Sequence, residues 1–187
     1  MPAMMLRVLS LALGLAALST AASAQTMEFG CPKPGTTFTY DSGISQVARG
    51  QEGMDCIMQA PGGATFKVRA LLFQNPGPDG KDTSAFITAV KAERLWPLQL
   101  GKKIEASYSA GGRTWNYVLT VARFEKHRGP GDTPIDAFVI EMNEQGDKGA
   151  RSISRWYVSP VEKYVLQFDY SDGSGKASRA FVSNIKR

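Results

Sequence analysis

The chain has 187 residues, 43% of them hydrophobic and 21% charged, with a formal net charge of +5. Those values leave room for one domain with its own core and exclude wholesale disorder or a low-complexity chain. A single histidine and two cysteines are too few for a histidine metal site, a four-cysteine zinc ribbon or a haem attachment motif, so no cofactor is expected.

The first segment is read as a leader. Arg7 is followed by the mainly apolar run Val8 to Leu18 and then by the small residues Ala22-Ser23-Ala24. A charged start, an apolar middle and a small-residue end make a secretory signal peptide. The apolar run is well short of the roughly 20 residues that cross a bilayer. Residues 1–24 are therefore expected to be cleaved, leaving 25–187 as a single β-rich domain, periplasmic or secreted, with no transmembrane span. In an oxidising compartment Cys31 and Cys56 are expected to form a disulfide. The basic residues that remain are scattered without a long run, which argues against nucleic acid as a partner.

Strand signals dominate the rest of the chain. Thr36 to Tyr40 is β-branched and aromatic and is followed by the turn Asp41-Ser42-Gly43. Met54 to Gln59 is a second candidate, ended by Pro61-Gly62-Gly63. Ala64 to Phe73 reads as one strand with Phe66, Val68 and Ala70 on a common face. Asn75 to Gly80 breaks the pattern. Ser84 to Leu95 reads as one short helix, capped near Thr83 or Ser84 and ended by Pro97. After it, Lys102 to Tyr108 alternates, Ala110-Gly111-Gly112 turns, and Arg113 to Glu125 puts Trp115, Tyr117, Leu119 and Val121 on one face. Gly129 to Pro134 reads as a loop. Further strands are expected over Ile135 to Met142, Arg151 to Val158, Lys163 to Tyr170 and Ala177 to Ile185. Short polar turns between successive strands favour antiparallel pairing. The expected architecture is a single antiparallel, strongly curved sheet or partial barrel with one short helix over about 84–95.

Catalytic motifs are scarce. Ser174-Gly175-Lys176 lacks the flanking residues of a phosphate loop. Asn75 to Phe86 lacks the ligands of a calcium loop. His127 lies in a turn-like stretch among Arg123, Lys126 and Arg128, without a nucleophile elbow, and is expected to be solvated. Carboxylate pairs such as Glu141 with Glu144 or Asp136 could in principle serve a hydrolase. The aromatics Trp96, Trp115, Tyr117, Trp156 and Tyr164 are the candidate ligand-binding residues, unless they simply fill the core. Trp156 and Tyr157, adjacent on one strand, must face opposite ways.

Three short segments carry a resemblance. Leu95-Trp96-Pro97-Leu98 with Gly101-Lys102, then Thr133-Pro134 with Asp136-Ala137-Phe138, then Trp156-Tyr157-Val158-Ser159-Pro160 resemble a motif set of exported proteobacterial β-rich domains of unknown function. The resemblance covers residues 95 to about 170. Ile135 departs from it, standing where a Gly-Thr-Phe turn is more usual. It implies a β-rich exported domain and no particular reaction. The resulting reading is an exported, non-enzymatic envelope domain that binds an apolar or amphipathic ligand or a partner protein. A carboxylate hydrolase and a purely structural envelope protein are the alternatives.

Overall fold

A computed structural model describes residues 25–187 except positions 111 and 148; the leader expected over 1–24 lies outside the described residues. The chain begins with β1 (Thr26–Met27), β2 (Thr37–Tyr40), β3 (Ser45–Glu52), β4 (Asp55–Gln59), β5 (Thr65–Arg69) and β6 (Phe73–Asn75). A helix α1 (Ser84–Val90) and a 3-10 turn (Ala92–Leu95) come next. The remainder is β7 (Leu98–Gln99), β8 (Lys103–Ala110), β9 (Arg113–Arg128), β10 (Pro134–Gly146), β11 (Arg151–Ser159), β12 (Tyr164–Asp172) and β13 (Ala177–Lys186).

Two antiparallel meanders, β2 to β6 and β8 to β13, join where β13 pairs with β2. The product is one eleven-stranded sheet in the order β6-β5-β4-β3-β2-β13-β12-β11-β10-β9-β8. It is not closed into a barrel; β6 and β8 are its two edges. A small ribbon of β1 and β7 stands apart, pairing Met27 with Leu98.

The sheet folds over on itself. Phe73 on edge strand β6 and Trp156 on β11 are seven strand steps apart in the sheet order. In a flat sheet that is about 34 Å at about 4.8 Å per strand. Their ring centroids are 5.4 Å apart. The inner faces of the two meanders therefore pack against each other and bury two clusters. The larger gathers Leu71, Phe73, Val90, Leu95, Leu98, Tyr117, Leu119, Val121, Phe138, Ile140 and Trp156. The smaller gathers Phe38, Ala48, Met58, Phe66, Tyr164, Leu166 and Val182.

Three local departures from the expected pattern shape this core. The helix expected over 84–95 stops at Val90, and Lys91 takes a left-handed conformation at φ 52° with its N–H bonded to the Ile87 carbonyl. On an unbroken helix Leu95 would lie roughly 140° around the axis from Val90. Arg94 would instead continue the buried face. Breaking the helix at Lys91 re-aims the chain so that Ala92 and Leu95 are fully buried.

The expected strand from Ala64 to Phe73 is two strands. Ala70 and Leu71 both have positive φ, 52° and 64°, as in the primed hairpin turns that usually take Asn-Gly. Neither residue favours that conformation. Both side chains are buried, so the turn inserts into the core instead of facing solvent.

In β9, Val121 pairs with Ile140 and Arg123 with Val139, leaving Ala122 unpaired as a bulge. Before the bulge, Tyr117, Leu119 and Val121 face inward. After it the alternation is reversed, so Phe124 packs inward on Phe138 at 4.7 Å. Arg123, Glu125 and His127 are thereby turned outward.

The disulfide between Cys31 and Cys56 is present, with Cα atoms 5.4 Å apart. It ties the segment after β1 to β4, beside the large core. On a chain-entropy estimate a loop of this length contributes about 3.5 kcal/mol.

Because the packing of β6 on β11 closes the core, Trp156→Ala is expected to destabilise the protein by about 3–5 kcal/mol, mostly as a cavity cost. Urea unfolding measures this. A change under about 1 kcal/mol would mean that the two meanders do not seal against each other.

Candidate binding surface

The five aromatics singled out in the sequence do not share one site. Tyr117 and Trp156 are buried in the large cluster and Trp96 packs at its border. Tyr164 is in the small cluster, and Trp115 lies half-buried over Gly146. Each has a packing role on this inner side. Trp156 sits between Phe73 and Phe168, at 5.4 and 5.3 Å. The Tyr117 hydroxyl donates to the Ala89 carbonyl at 2.8 Å, fastening α1 to β9. Tyr164 stacks on Phe38 at 3.9 Å. Its hydroxyl donates to Gln46 Oε1 at 2.6 Å and shares a 2.8 Å bond with Tyr40. Burial pushes the Tyr164 phenol well above its ordinary value and the Tyr117 phenol up to about 12. Both therefore remain protonated donors. Trp96 is half-buried, edge-on to Phe29 at 5.2 Å, with its indole N–H donated to the Ala70 carbonyl.

The carboxylate pairs considered for hydrolysis are divided between the two faces of β10. Glu141 faces outward and is held by Arg123 at 2.8 Å and Arg155 at 3.1 Å. Glu144 faces inward and accepts from Tyr108 at 3.1 Å and Ser152 at 2.7 Å. Asp136 pairs with Lys126 at 2.7 Å. Opposite faces of one strand cannot present two carboxyls to one bond. No cluster of three metal-ligating side chains occurs among the described residues.

The described clefts lie outside the core. One is a trough of about 710 Å³ across β8, β9, β10 and β11. Strand register builds it as a grid. Glu105, Val118, Asn143 and Ile153 form one cross-strand row, and Ser107, Asn116, Gln145 and Arg151 the next. Its side chains are mostly amides, hydroxyls and charges. Of the five aromatics, Tyr117 alone borders it.

The second cleft, about 390 Å³, lies where the turn Gly129–Asp132 folds back towards Gln167, Arg179, Phe181 and Ser183. The turn requires Gly129, because a Cβ there would run into Ile135 and stand 3.0 Å from the Thr133 carbonyl. Beside this cleft is a polar lattice around the buried Tyr157. The Tyr157 hydroxyl reaches Asp169 at 3.4 Å, and Asp169 is paired with Arg179 at 2.8 Å.

His127 belongs to this lattice. It is a strand residue of β9, where the sequence suggested a solvated loop. Its ring lies on Tyr157 at a centroid distance of 4.4 Å. Its Nε2 is buried without a hydrogen-bond partner among the described residues. Burial holds its pKa below the ordinary value; Glu125 and Asp169 pull the other way and Arg179 adds to the lowering. The sequence missed this placement because the Ala122 bulge carries no signature of its own.

No helix among the described residues is long and apolar enough to cross a membrane. A crystal structure of the hypothetical lipoprotein YmcC from Escherichia coli (K12) is loosely similar, with a TM-score of 0.43 and 10% sequence identity over 81% of this chain and 84% of that one. No family model and no curated protein matches the chain.

The His127 environment gives a pH prediction. Its folded pKa lies below its unfolded value of about 6.5, so the unfolded chain takes up the proton first. Stability from this residue is complete above about pH 6.5 and falls as the pH drops below it. His127→Phe retains a ring on Tyr157 and removes the titration, so urea midpoints between pH 7.5 and pH 5 should decline less in that variant. An identical decline in both proteins would remove His127 from the account. His127→Ala, expected from the sequence to be neutral, should cost about 1 kcal/mol through the lost ring contact.

Proposed function

We propose that the protein is an exported envelope domain with no catalytic role, a binding module whose outward sheet face meets a partner protein. The observation that carries this reading is the filled interior. Tyr117, Tyr108, Phe86, Phe73, Trp156 and Phe168 contact one another in that order through the interior, with neighbouring centroids 5.0–6.3 Å apart. An apolar ligand would have to displace that packing. The recesses open instead on the polar outer side, where the trough offers paired donors and acceptors on four rigid strands. A surface of this kind suits a protein partner better than a lipid or another apolar molecule.

Export is supported by the leader-like first residues and by the Cys31–Cys56 disulfide, since disulfides persist in oxidising compartments. The carboxylates that a hydrolase would need are already committed to arginines, lysines and hydroxyls. Residues 25–187 are taken as one domain, because β13 and β2 come from opposite ends of the chain and pair in one sheet.

Two experiments test the reading. N-terminal sequencing of the exported protein should begin at Gln25; an intact Met1 in the membrane fraction would refute export. A photo-crosslinking residue placed at Asn116 or Asn143 in cells should give a discrete protein adduct, and one at the outward Lys67 on β5 should not. A small apolar molecule retained in native mass spectrometry, with no adduct from either trough position, would overturn the protein-partner reading.

A further inference from the structure

The two edges of the large sheet are treated differently. Edge strand β6 has three residues, and the loop after it folds back on it. Thr83 donates its N–H to the Asn75 side chain at 3.1 Å and its hydroxyl to the Gln74 carbonyl at 2.7 Å. Edge strand β8 has eight residues, contains no proline, and pairs with β9 without a bulge from Lys103 to Ala110.

The hydrogen-bond phase of β8 is set by its first residues. Val121 donates its N–H to the Lys102 carbonyl at 2.9 Å, and Gly101 donates to the Val121 carbonyl at 2.9 Å. Antiparallel ladders alternate bonded and non-bonded positions. Ile104, Ala106 and Tyr108 therefore direct their backbone groups to β9. Lys103, Glu105, Ser107 and Ser109 direct theirs away from the sheet. No bond to the N–H or C=O of these four residues occurs among the described residues, and all four are exposed. A long row of unpaired donors and acceptors is a template for another strand.

We propose that the occupant is a second copy of this chain, added antiparallel along β8 about a two-fold axis. Charge selects the register. A two-fold pairing must set outward-bonding residues against each other, so few registers are open. Centred on Glu105 it would place two carboxylates face to face. Centred on Ala106 it would leave Lys103 and Glu105 opposite serines. Centred on Ile104 it sets Lys103 of each copy opposite Glu105 of the other, in a short ladder over residues 103–105 of both chains, because Ser107 then falls opposite Gly101, whose N–H is already bonded to Val121. Self-complementarity of this kind is what an isologous interface requires, and opposite charges directly across an antiparallel pair are favourable. Among the described residues these two side chains pair only with each other, at 2.9 Å and about 60% exposed, so they are accessible for exchange. The contact borrows Glu105 from the rim of the trough, but it extends the sheet in its own plane, whereas the trough faces outward from the sheet.

Sedimentation velocity of the exported protein from about 10 μM to about 1 mM, a range that reads free energies down to about 4 kcal/mol, tests this. A monomer–dimer equilibrium is expected. Lys103→Glu and Glu105→Lys, each alone, should weaken it at least tenfold by opposing like charges twice. The double exchange K103E/E105K should restore it. Both positions are exposed, so urea midpoints of all variants should stay close to the starting protein. A monomer at every concentration would overturn the proposal. So would a dimer indifferent to both single reversals, or a double exchange that fails to recover association.

Discussion

An open sheet has two faces, and one of them must be buried. In this protein the constraint is met by curling. Phe73 at one edge is brought onto Trp156, deep in the other meander, and the rest of the architecture depends on that closure. The β1–β7 ribbon, the broken helix and the disulfide all gather at the rim where the two inner faces meet. Residues that look like accessories in the chain, such as Met27, Leu95 and Leu98, are among its most buried. A flatter sheet would leave the aromatic row exposed, and the chain would then be prone to associate through it.

Much of the fold could be read in the residues. Alternation marked the long hairpins, Pro97 marked the end of the helical segment, and two cysteines behind a leader-like segment implied their own bridge. The missing parts share a cause. Strand β3, Ser45–Glu52, contributes a single fully buried residue, Ala48, so its hydrophobic period is invisible. The turn at Ala70-Leu71 lacks the glycine or asparagine that advertises positive φ. The pairing of β2 with β13 joins residues such as Thr37 and Lys186, a separation over which local pattern has no reach. Tertiary packing overrode local preference in each case.

The candidate binding surface was less legible than the fold. The tryptophans and tyrosines stand out in the sequence as large aromatics, and the structure uses each for packing at a different place on the inner side. The outward grid of Asn116, Asn143, Gln145 and Arg151 looks in sequence like any solvated strand face. Its coherence comes from register across four strands, which no single segment encodes. His127 shows the same limit in miniature. One extra residue upstream, Ala122, decides whether Arg123, Glu125 and His127 lie on the outer face of the sheet or in the core.

The seam between β2 and β13 gives the C-terminus unusual importance. Chain ends are commonly expendable, yet here the last strand is the sixth of eleven in the sheet, with a neighbour on each side. During synthesis the β2–β6 meander is made first, and β2 has β3 on one side but no second neighbour until β13 follows. The large sheet therefore cannot be completed before Ala177–Lys186 is made. A premature stop near residue 177 would remove one strand but create two raw edges, at β2 and β12, in the middle of the molecule. Fusions and truncations at this end act on the keystone of the sheet, whereas the β9–β10 turn at Gly129–Asp132 lies at its periphery.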